Sequence, residues 1–204
     1  MTDGPANLDE RDAPPEPIEL LGAWREDARR AGEPLSDAMV LATAGRDARP
    51  SARVVMLRDA TDEGLVFYTN YESRKGVELA GNPWASVVLH WPTCDRQVRV
   101  EGTVEMLPPA ESDAYFRGRP RESRIEAWAS PQSRVVSGRA WLERRWKERA
   151  DIGRESAERP PWWGGYRLRP MVVEFWQQGA HRMHDRLLYS RQDRGGWTLK
   201  RLAP

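Results

Sequence analysis

ASVVLHWPTCDRQVRVEGTVEM, residues 85–106, holds two β-prone runs, 85–91 and 97–106, rich in Val, Leu and aromatic side chains. Similar runs lie at 38–44 (AMVLATA), 51–58 (SARVVMLR) and 65–68 (LVFY), with the turn formers Gly45-Arg46-Asp47 and Asp62-Glu63-Gly64 between them. Several short strands at hairpin spacing predict an antiparallel sheet that closes on itself as a barrel. Helical segments flank these runs. In 18–31, Leu20, Leu21, Trp24 and Ala28 form one apolar stripe and Gly32 stops the helix. Residues 72–80 read as a helix ended by Gly81-Asn82-Pro83, and further helices fit 110–118, 123–129 and 138–150, the last with a stripe of Trp141, Leu142, Arg145 and Trp146. The expected class is mainly β with flanking helices, α+β. No internal repeat is visible.

A second β signal lies at 172–186, VVEFWQQGAHRMHDR. Val172, Val173, Phe175 and Trp176 form a strand, 177–180 can turn the chain, and 182–186 reads as a returning strand. Alternation would project Arg182, His184 and Arg186 from one face, where they repel unless an anion lies against them. A solvated cationic face is the competing reading of this pattern.

The 204 residues are enough for one domain with a proper core. The expected division is a disordered or loosely ordered tail at 1–17, acidic and Pro-rich, and a single domain at 18–204. The 32 Lys+Arg nearly cancel the 31 Asp+Glu, so a nucleic-acid binder relying on bulk charge is excluded and any anion site must be local. Ten Trp against three Phe suit core plugs and flat walls for an aromatic ligand. The single cysteine, Cys94, allows neither an intramolecular disulfide nor a cysteine-rich metal site, and three His offer little for zinc, so no metal is expected. With no apolar leader and no run of about 18 apolar residues, the expected location is the cytoplasm, with no membrane partner.

Three clusters carry chemistry. FYTNYESRKG (67–76) runs from a strand end into a helix start, where hydroxyls, free helix N–H groups, Arg74 and Lys75 make a seat for a phosphate. Arg53 and Arg58 precede it, five apart and therefore on opposite strand faces unless a bulge intervenes. Gln97, Arg99 and Glu101 share a strand face. An amide there suits the imide edge of a heteroaromatic ring, and a plain polar barrel exterior explains it equally well. Tyr115 and Arg119, one helical turn apart, and Ser123 beyond Pro120 can converge on a second phosphate, or simply decorate a helix surface.

The order FYTNYESRKG, RQVRVEG, YFRGRPRES, AWASPQS, WGGYRL, EFWQ and HRMHDR, finishing RLAP, closely resembles the pyridoxine/pyridoxamine 5′-phosphate oxidase family across 38–204. The resemblance implies an FMN-binding split β-barrel, a homodimer with FMN at the interface, and a flavoprotein oxidoreductase of vitamin B6 metabolism. Such an enzyme oxidises pyridoxine or pyridoxamine 5′-phosphate to pyridoxal phosphate, with oxygen as acceptor. It further implies that Arg53, Val54, Val55, Met56, Leu57, Arg58, Tyr68, Thr69, Arg74, Lys75, Gln97, Gln132, Ser133, Trp176 and Arg186 hold FMN. The substrate would lie against Arg58, Tyr115, Arg119, Ser123, Arg182, Met183 and His184, with Arg182 and His184 at the reacting carbon.

Three features depart from the family pattern. Arg58 stands where Lys is usual, Glu126 where Gly is common, and no Arg-x-x-Tyr element is recognisable in 1–17. The alternatives are a related flavin oxidase of a larger aromatic substrate, of the phenazine type, and a non-catalytic flavin- or B6-phosphate-binding protein.

Overall fold

The computed structural model describes residues 8–152 and 158–204. Helix α1 (Pro17–Arg30) begins on a proline whose fixed φ suits the first helical turn, and Gly32 beyond its end takes φ +78°. Strands β1 (Ala38–Ala44), β2 (Pro50–Met56), β3 (Asp59–Thr61) and β4 (Gly64–Asn70) lead to α2 (Arg74–Gly81). Strands β5 (Trp84–Trp91) and β6 (Arg96–Met106) precede three helices, α3 (Pro109–Arg117), α4 (Arg121–Ala129) and α5 (Arg139–Ile152). Strands β7 (Trp163–Gln177), β8 (Asp185–Arg191) and β9 (Trp197–Arg201) complete the chain.

Every strand pairing is antiparallel, and the main path of the sheet runs β2-β1-β5-β6-β7-β4-β3. Its two end strands, β2 and β3, are consecutive in the chain, with only Leu57 and Arg58 between them. The sheet therefore has to curl until its ends meet. Leu57 N–H donates to the Asp37 carbonyl and Arg58 N–H to the Val66 carbonyl, which closes the curl. The 15-residue β7 keeps β6 along one edge, but its other edge pairs first with β4 (Leu168↔Leu65 to Trp163↔Asn70) and then with β8 (Val172↔Ser190 to Gln177↔Asp185). That change of partner splits the sheet into two leaves. The result is the mixed α+β class, with a curled antiparallel half-barrel.

Alternation decides what lies inside. Val87, Leu89 and Trp91 of β5 and Val98 and Val100 of β6 point into the core, where each is fully buried. Each such side chain contributes roughly 1.5–3 kcal/mol of transfer free energy. Helix α1 closes the core with Leu21, Trp24 and Ala28, and Trp24 meets Phe175 edge-on at 5.2 Å. The Trp91 indole N–H, buried with it, donates to the Ser36 carbonyl at 2.8 Å.

Two expectations are corrected. The loose tail of 1–17 is instead docked over its described part, 8–16, against β8 and β9; residues 1–7 lie outside the described residues. Leu8 N–H donates to Asp185 Oδ2 at 3.1 Å, and the Arg201 guanidinium grips both Glu10 oxygens (2.6 and 2.7 Å) and the Leu8 carbonyl (2.7 Å). Tyr189 donates to the Pro14 carbonyl, and the Trp197 indole N–H to Glu16. Composition could not reveal these contacts, because every partner lies at the far end of the chain. The second correction concerns 182–186. Ala180–Arg182 is a 3₁₀ turn with His181 and Arg182 at φ +56° and +64°, and β8 starts only at Asp185. Arg182 and His184 thus sit on a turn, and strand alternation with Arg186 does not apply to them. Among the described residues, no helix is long and apolar enough to cross a membrane.

Candidate active site

Where β4 ends, the chain must turn sharply into α2, and polar side chains make the turn. Asn70 Oδ1 accepts from Glu72 N–H at 2.7 Å, while the Ser73 hydroxyl donates to the Asn70 carbonyl and accepts from Gly76 N–H. This cap consumes one of the helix N–H groups expected to be free for an anion, so the seat here is built mainly of side chains. A Cβ on Gly76 would stand 2.1 Å from the Tyr71 carbonyl oxygen, so only glycine allows α2 to start this close to the preceding turn. Gly76→Ala is expected to destabilise the fold by roughly 1–3 kcal/mol, read as a fall in Tm, with weakened anion binding because Arg74 and Lys75 move with the helix.

Arg74 and Lys75 open onto a cleft of about 560 Å³ between β2, the β4–α2 junction, α3, α4 and the start of β7. That is a usual size for a small-molecule site. Five cationic side chains line it, Arg53, Arg58, Arg74, Lys75 and Arg119, against one carboxylate, Glu126. Lys75 is only 8% exposed. Its ammonium donates to three neutral oxygens, Thr69 Oγ1 (3.1 Å), Ser73 Oγ (3.2 Å) and Gln132 Oε1 (3.0 Å). Burial, and then the Arg53 charge, pull its pKa down to about 8, with Glu78 opposing. Arg119 lies flat over Trp163, 4.4 Å from the ring centroid, and its Nη1 is buried without a hydrogen-bond partner among the described residues. Burial lowers its pKa, Glu126 and Tyr115 oppose that, and Arg58 adds to it.

The cleft wall is aromatic. Tyr68 and Tyr115 stack at 3.7 Å with 6° between planes, and Trp163 continues the stack beside Tyr68 at 5.5 Å. The stack is possible because Tyr68 pairs with Gly165 on β7, where a Cβ would collide with the Tyr68 ring at 2.8 Å. Burial pushes the Tyr68 phenol up to about 12, so it stays a neutral donor at physiological pH.

From the expected sets the cleft gathers Arg53, Val54, Val55, Met56, Arg58, Tyr68, Thr69, Arg74, Lys75, Gln132 and Ser133, together with Tyr115 and Arg119. Arg53 and Arg58 reach one cleft despite their spacing, because Arg58 lies past the end of β2. Arg119 lies past the end of α3, in the turn before α4, so it is not on one helix with Tyr115. The Leu57 side chain is in the core, and Ser123 on α4 does not line the cleft. Ser51, Ala52, Glu126 and Trp163 line it beyond the expected sets; the Trp-Gly-Gly run was the sequence signal for Trp163.

The remaining expected residues form a second cluster. Gln97, Trp176 and Arg186 are neighbours across β6, β7 and β8 by register. Buried Glu174 binds Arg186 Nε at 2.9 Å and Arg99 at 3.2 Å, and Arg186 also donates to the Ala203 carbonyl. The His184 ring lies 4.8 Å from Trp176 and its Nδ1 accepts from Gly179 N–H at 3.2 Å, so in the neutral ring the proton is on Nε2. A hollow of about 440 Å³ beside it is lined by Met183, His184, Asp185, Arg201 and 202–204. Arg182 and Met183 are exposed on the turn. None of Gln97, Trp176, Arg182, Met183, His184 and Arg186 lines the cleft.

Residues 26–152 match the family model described as pyridoxamine 5′-phosphate oxidase, and 163–204 match the pyridoxine 5′-phosphate oxidase C-terminal dimerisation region. A pyridoxine/pyridoxamine 5′-phosphate oxidase of Burkholderia vietnamiensis is 50% identical over 201 residues, 98% of this chain and 94% of that protein. One from Cupriavidus metallidurans is 48% identical over 197 residues, 97% and 93% of the two chains. Among solved structures, PhzG of Burkholderia lata, in complex with tetrahydrophenazine-1-carboxylic acid, superposes with a TM-score of 0.90 at 36% identity over 98% of both chains. A pyridoxamine 5′-phosphate oxidase-related, FMN-binding protein of Nostoc punctiforme shares the fold, with a TM-score of 0.73 at 20% identity over 90% of this chain and 96% of that one.

Proposed function

The chain belongs to the pyridoxine/pyridoxamine 5′-phosphate oxidase family, and from that membership we propose that it uses FMN to oxidise pyridoxine or pyridoxamine 5′-phosphate to pyridoxal 5′-phosphate. Oxygen is the final acceptor and leaves as hydrogen peroxide; the amine substrate also takes up water and releases ammonia. The observation that carries this reading is the cleft's excess of cations over carboxylates, with Lys75 held by neutral oxygens and a buried Arg119 nitrogen that has no hydrogen-bond partner among the described residues. Both need anions, and both lie beside flat aromatic walls.

The donor set fits FMN. Arg74, Lys75, Thr69, Gln132 and Ser133 would hold its phosphate, and 53–58 with Tyr68 would lie along the rest of the molecule. Bound FMN supplies an acceptor for the hydride leaving C4′ of the substrate. Tyr115 and Arg119 bind the substrate phosphate, the planar guanidinium being kept in orientation by Trp163. Arg58 adds positive charge to the same cleft.

The second cluster joins this site in a homodimer. Gln97, Trp176 and Arg186 of one copy, with Arg182 and His184, would face the cleft of the other, and FMN would lie at the seam. The assignment of 163–204 to a dimerisation region supports this arrangement. His184, its Nδ1 engaged by Gly179, presents Nε2–H to the C4′ oxygen or nitrogen, and Arg182 holds that group from the same turn. Both act by positioning and charge.

The test is direct. Purified protein reconstituted with FMN should be yellow and should convert pyridoxamine 5′-phosphate in air to pyridoxal phosphate, with one peroxide per turnover. A protein that cannot be reconstituted, or a yellow protein that forms no product, overturns the reading. The 36% relationship to PhzG makes a reduced phenazine carboxylic acid the second substrate to assay.

A further inference from the structure

Beneath the cleft, and outside its lining, Glu78 of α2 collects four hydrogen bonds. Its Oε2 accepts from Thr43 Oγ1 (2.6 Å), Ser51 Oγ (2.6 Å) and Arg53 Nη2 (3.3 Å), and its Oε1 from Arg74 Nε (2.8 Å). The carboxylate side chain is 11% exposed. Burial alone would raise its pKa, but the bonds from Ser51, Thr43, Arg74 and Arg53 outweigh that and bring it to about 2, so it is ionised at any physiological pH.

The two arginines it touches both line the cleft. Arg74 is on an exposed helix face and would otherwise sample many rotamers. Engaging Nε fixes the plane of its guanidinium and leaves both Nη groups without partners among the described residues, available to a bidentate anion. Arg53 is held more fully. Nη1 bonds the Leu41 carbonyl and Thr43 Oγ1, and Nη2 bonds Ser51 Oγ and Glu78. Thr43 and Ser51 each donate to the carboxylate and accept from Arg53, so the network is satisfied from both sides.

We propose that Glu78 is the positioning residue of the phosphate seat: by bonding Arg74 of α2 and Arg53 of β2 at once, it holds the Arg74 guanidinium ready for the FMN phosphate and Arg53 fixed in the wall beside it. The proposal rests on the FMN reading above and adds a residue that never touches the ligand. A bare counter-charge in this place would act in the opposite sense, because a carboxylate near a phosphate repels it.

The measurement is the FMN dissociation constant of apo-protein, by quenching of flavin fluorescence, for wild type, Glu78→Ala and Glu78→Gln. Both variants lose the charge, and only Gln keeps an oxygen acceptor. Positioning predicts that Glu78→Ala binds FMN about tenfold more weakly than wild type, the worth of one charge-assisted hydrogen bond, while Glu78→Gln stays within about threefold. Equal constants for the two variants, or tighter binding by Glu78→Ala, would sink the proposal. Thr43→Val keeps the volume and removes one hydroxyl of the network without touching the cleft, and serves if Glu78→Ala does not fold. There, a rise of about threefold supports the proposal and an unchanged constant overturns it. Wild-type protein that binds no FMN would refute the functional reading itself, a distinguishable result.

Discussion

Arg119→Ala raises KM for pyridoxamine 5′-phosphate by about 100-fold, corresponding to the ~3 kcal/mol of a buried charge-assisted hydrogen bond, while the purified protein keeps its FMN. The separation follows from where the cations lie. Arg74 and Lys75 sit at the start of α2, whereas Arg119 lies in the α3–α4 turn over Trp163. On the proposed assignment, two phosphates on two ligands would have two seats in one cleft. The substitution also removes a buried nitrogen that has no hydrogen-bond partner among the described residues, so apo-protein Tm should hold or rise. Arg119→Lys should rescue little, since an ammonium neither stacks on Trp163 nor offers a planar fork. Enzyme assays at saturating FMN, with flavin content measured on the same preparation, settle it. Loss of FMN from the variant, with KM unchanged, would show that the two seats have been exchanged.

The strands were legible where they alternate. In β5 and β6 the inward positions 87, 89, 91, 98, 100 and 104 are Val, Leu or Trp and most residues between them are polar, which marks both the strand and its inward face. The three-residue β3 has no pattern to read, and it exists because β2 must continue into the far edge of the curl. The length of β7 was hidden for a different reason. Glycine and proline are poor strand formers, yet Gly164 and Gly165 let Tyr71 and Tyr68 pack and Pro170 sits at a register shift opposite Gly102.

For the site, local chemistry was readable and assembly was not. FYTNYESRKG announced a cationic strand-to-helix turn, and the turn proved to be an Asn70/Ser73 cap presenting Arg74 and Lys75. The segment carrying Arg182 and His184 reads as a strand by alternation but forms a local turn, with His181 and Arg182 left-handed and Gly179 N–H bonded to His184 across it. Glu78 carries no signal within the helical segment 72–80, and the approach of β1 and β2 makes it the hub of a buried network. That Gln97, Trp176 and Arg186 are neighbours follows from register across three strands, which no single segment encodes.

Lys75→Met should raise the FMN dissociation constant by about 100-fold, the ~3 kcal/mol of a buried charged contact, and at the same time make the apo-protein more stable at pH 7. The two effects share one cause. In apo-protein the ammonium is buried among neutral oxygens and its pKa has fallen from the ordinary lysine value of 10.5 to about 8. Because the folded value lies below the unfolded one, the unfolded chain holds more protons between about pH 8 and 10.5, and stability contributed by this group rises with pH across that window. Below about pH 8 the cost is present in full. Met fills the volume without the charge, so its gain in Tm should be constant below pH 8 and fade toward pH 10.5. A phosphate beside Lys75 reverses the balance, since an adjacent anion favours the charged form and lifts the pKa again. FMN binding by wild type must then take up a proton above about pH 8 and weaken as pH climbs, whereas the Lys75→Met constant should lose that dependence. Fluorescence titrations from acid to alkaline pH, with Tm measured on the same apo samples, test both halves. A variant that binds FMN as tightly as wild type would remove Lys75 from the phosphate seat. One that binds weakly and is also less stable would mean that the ammonium's three hydrogen bonds outweigh its burial.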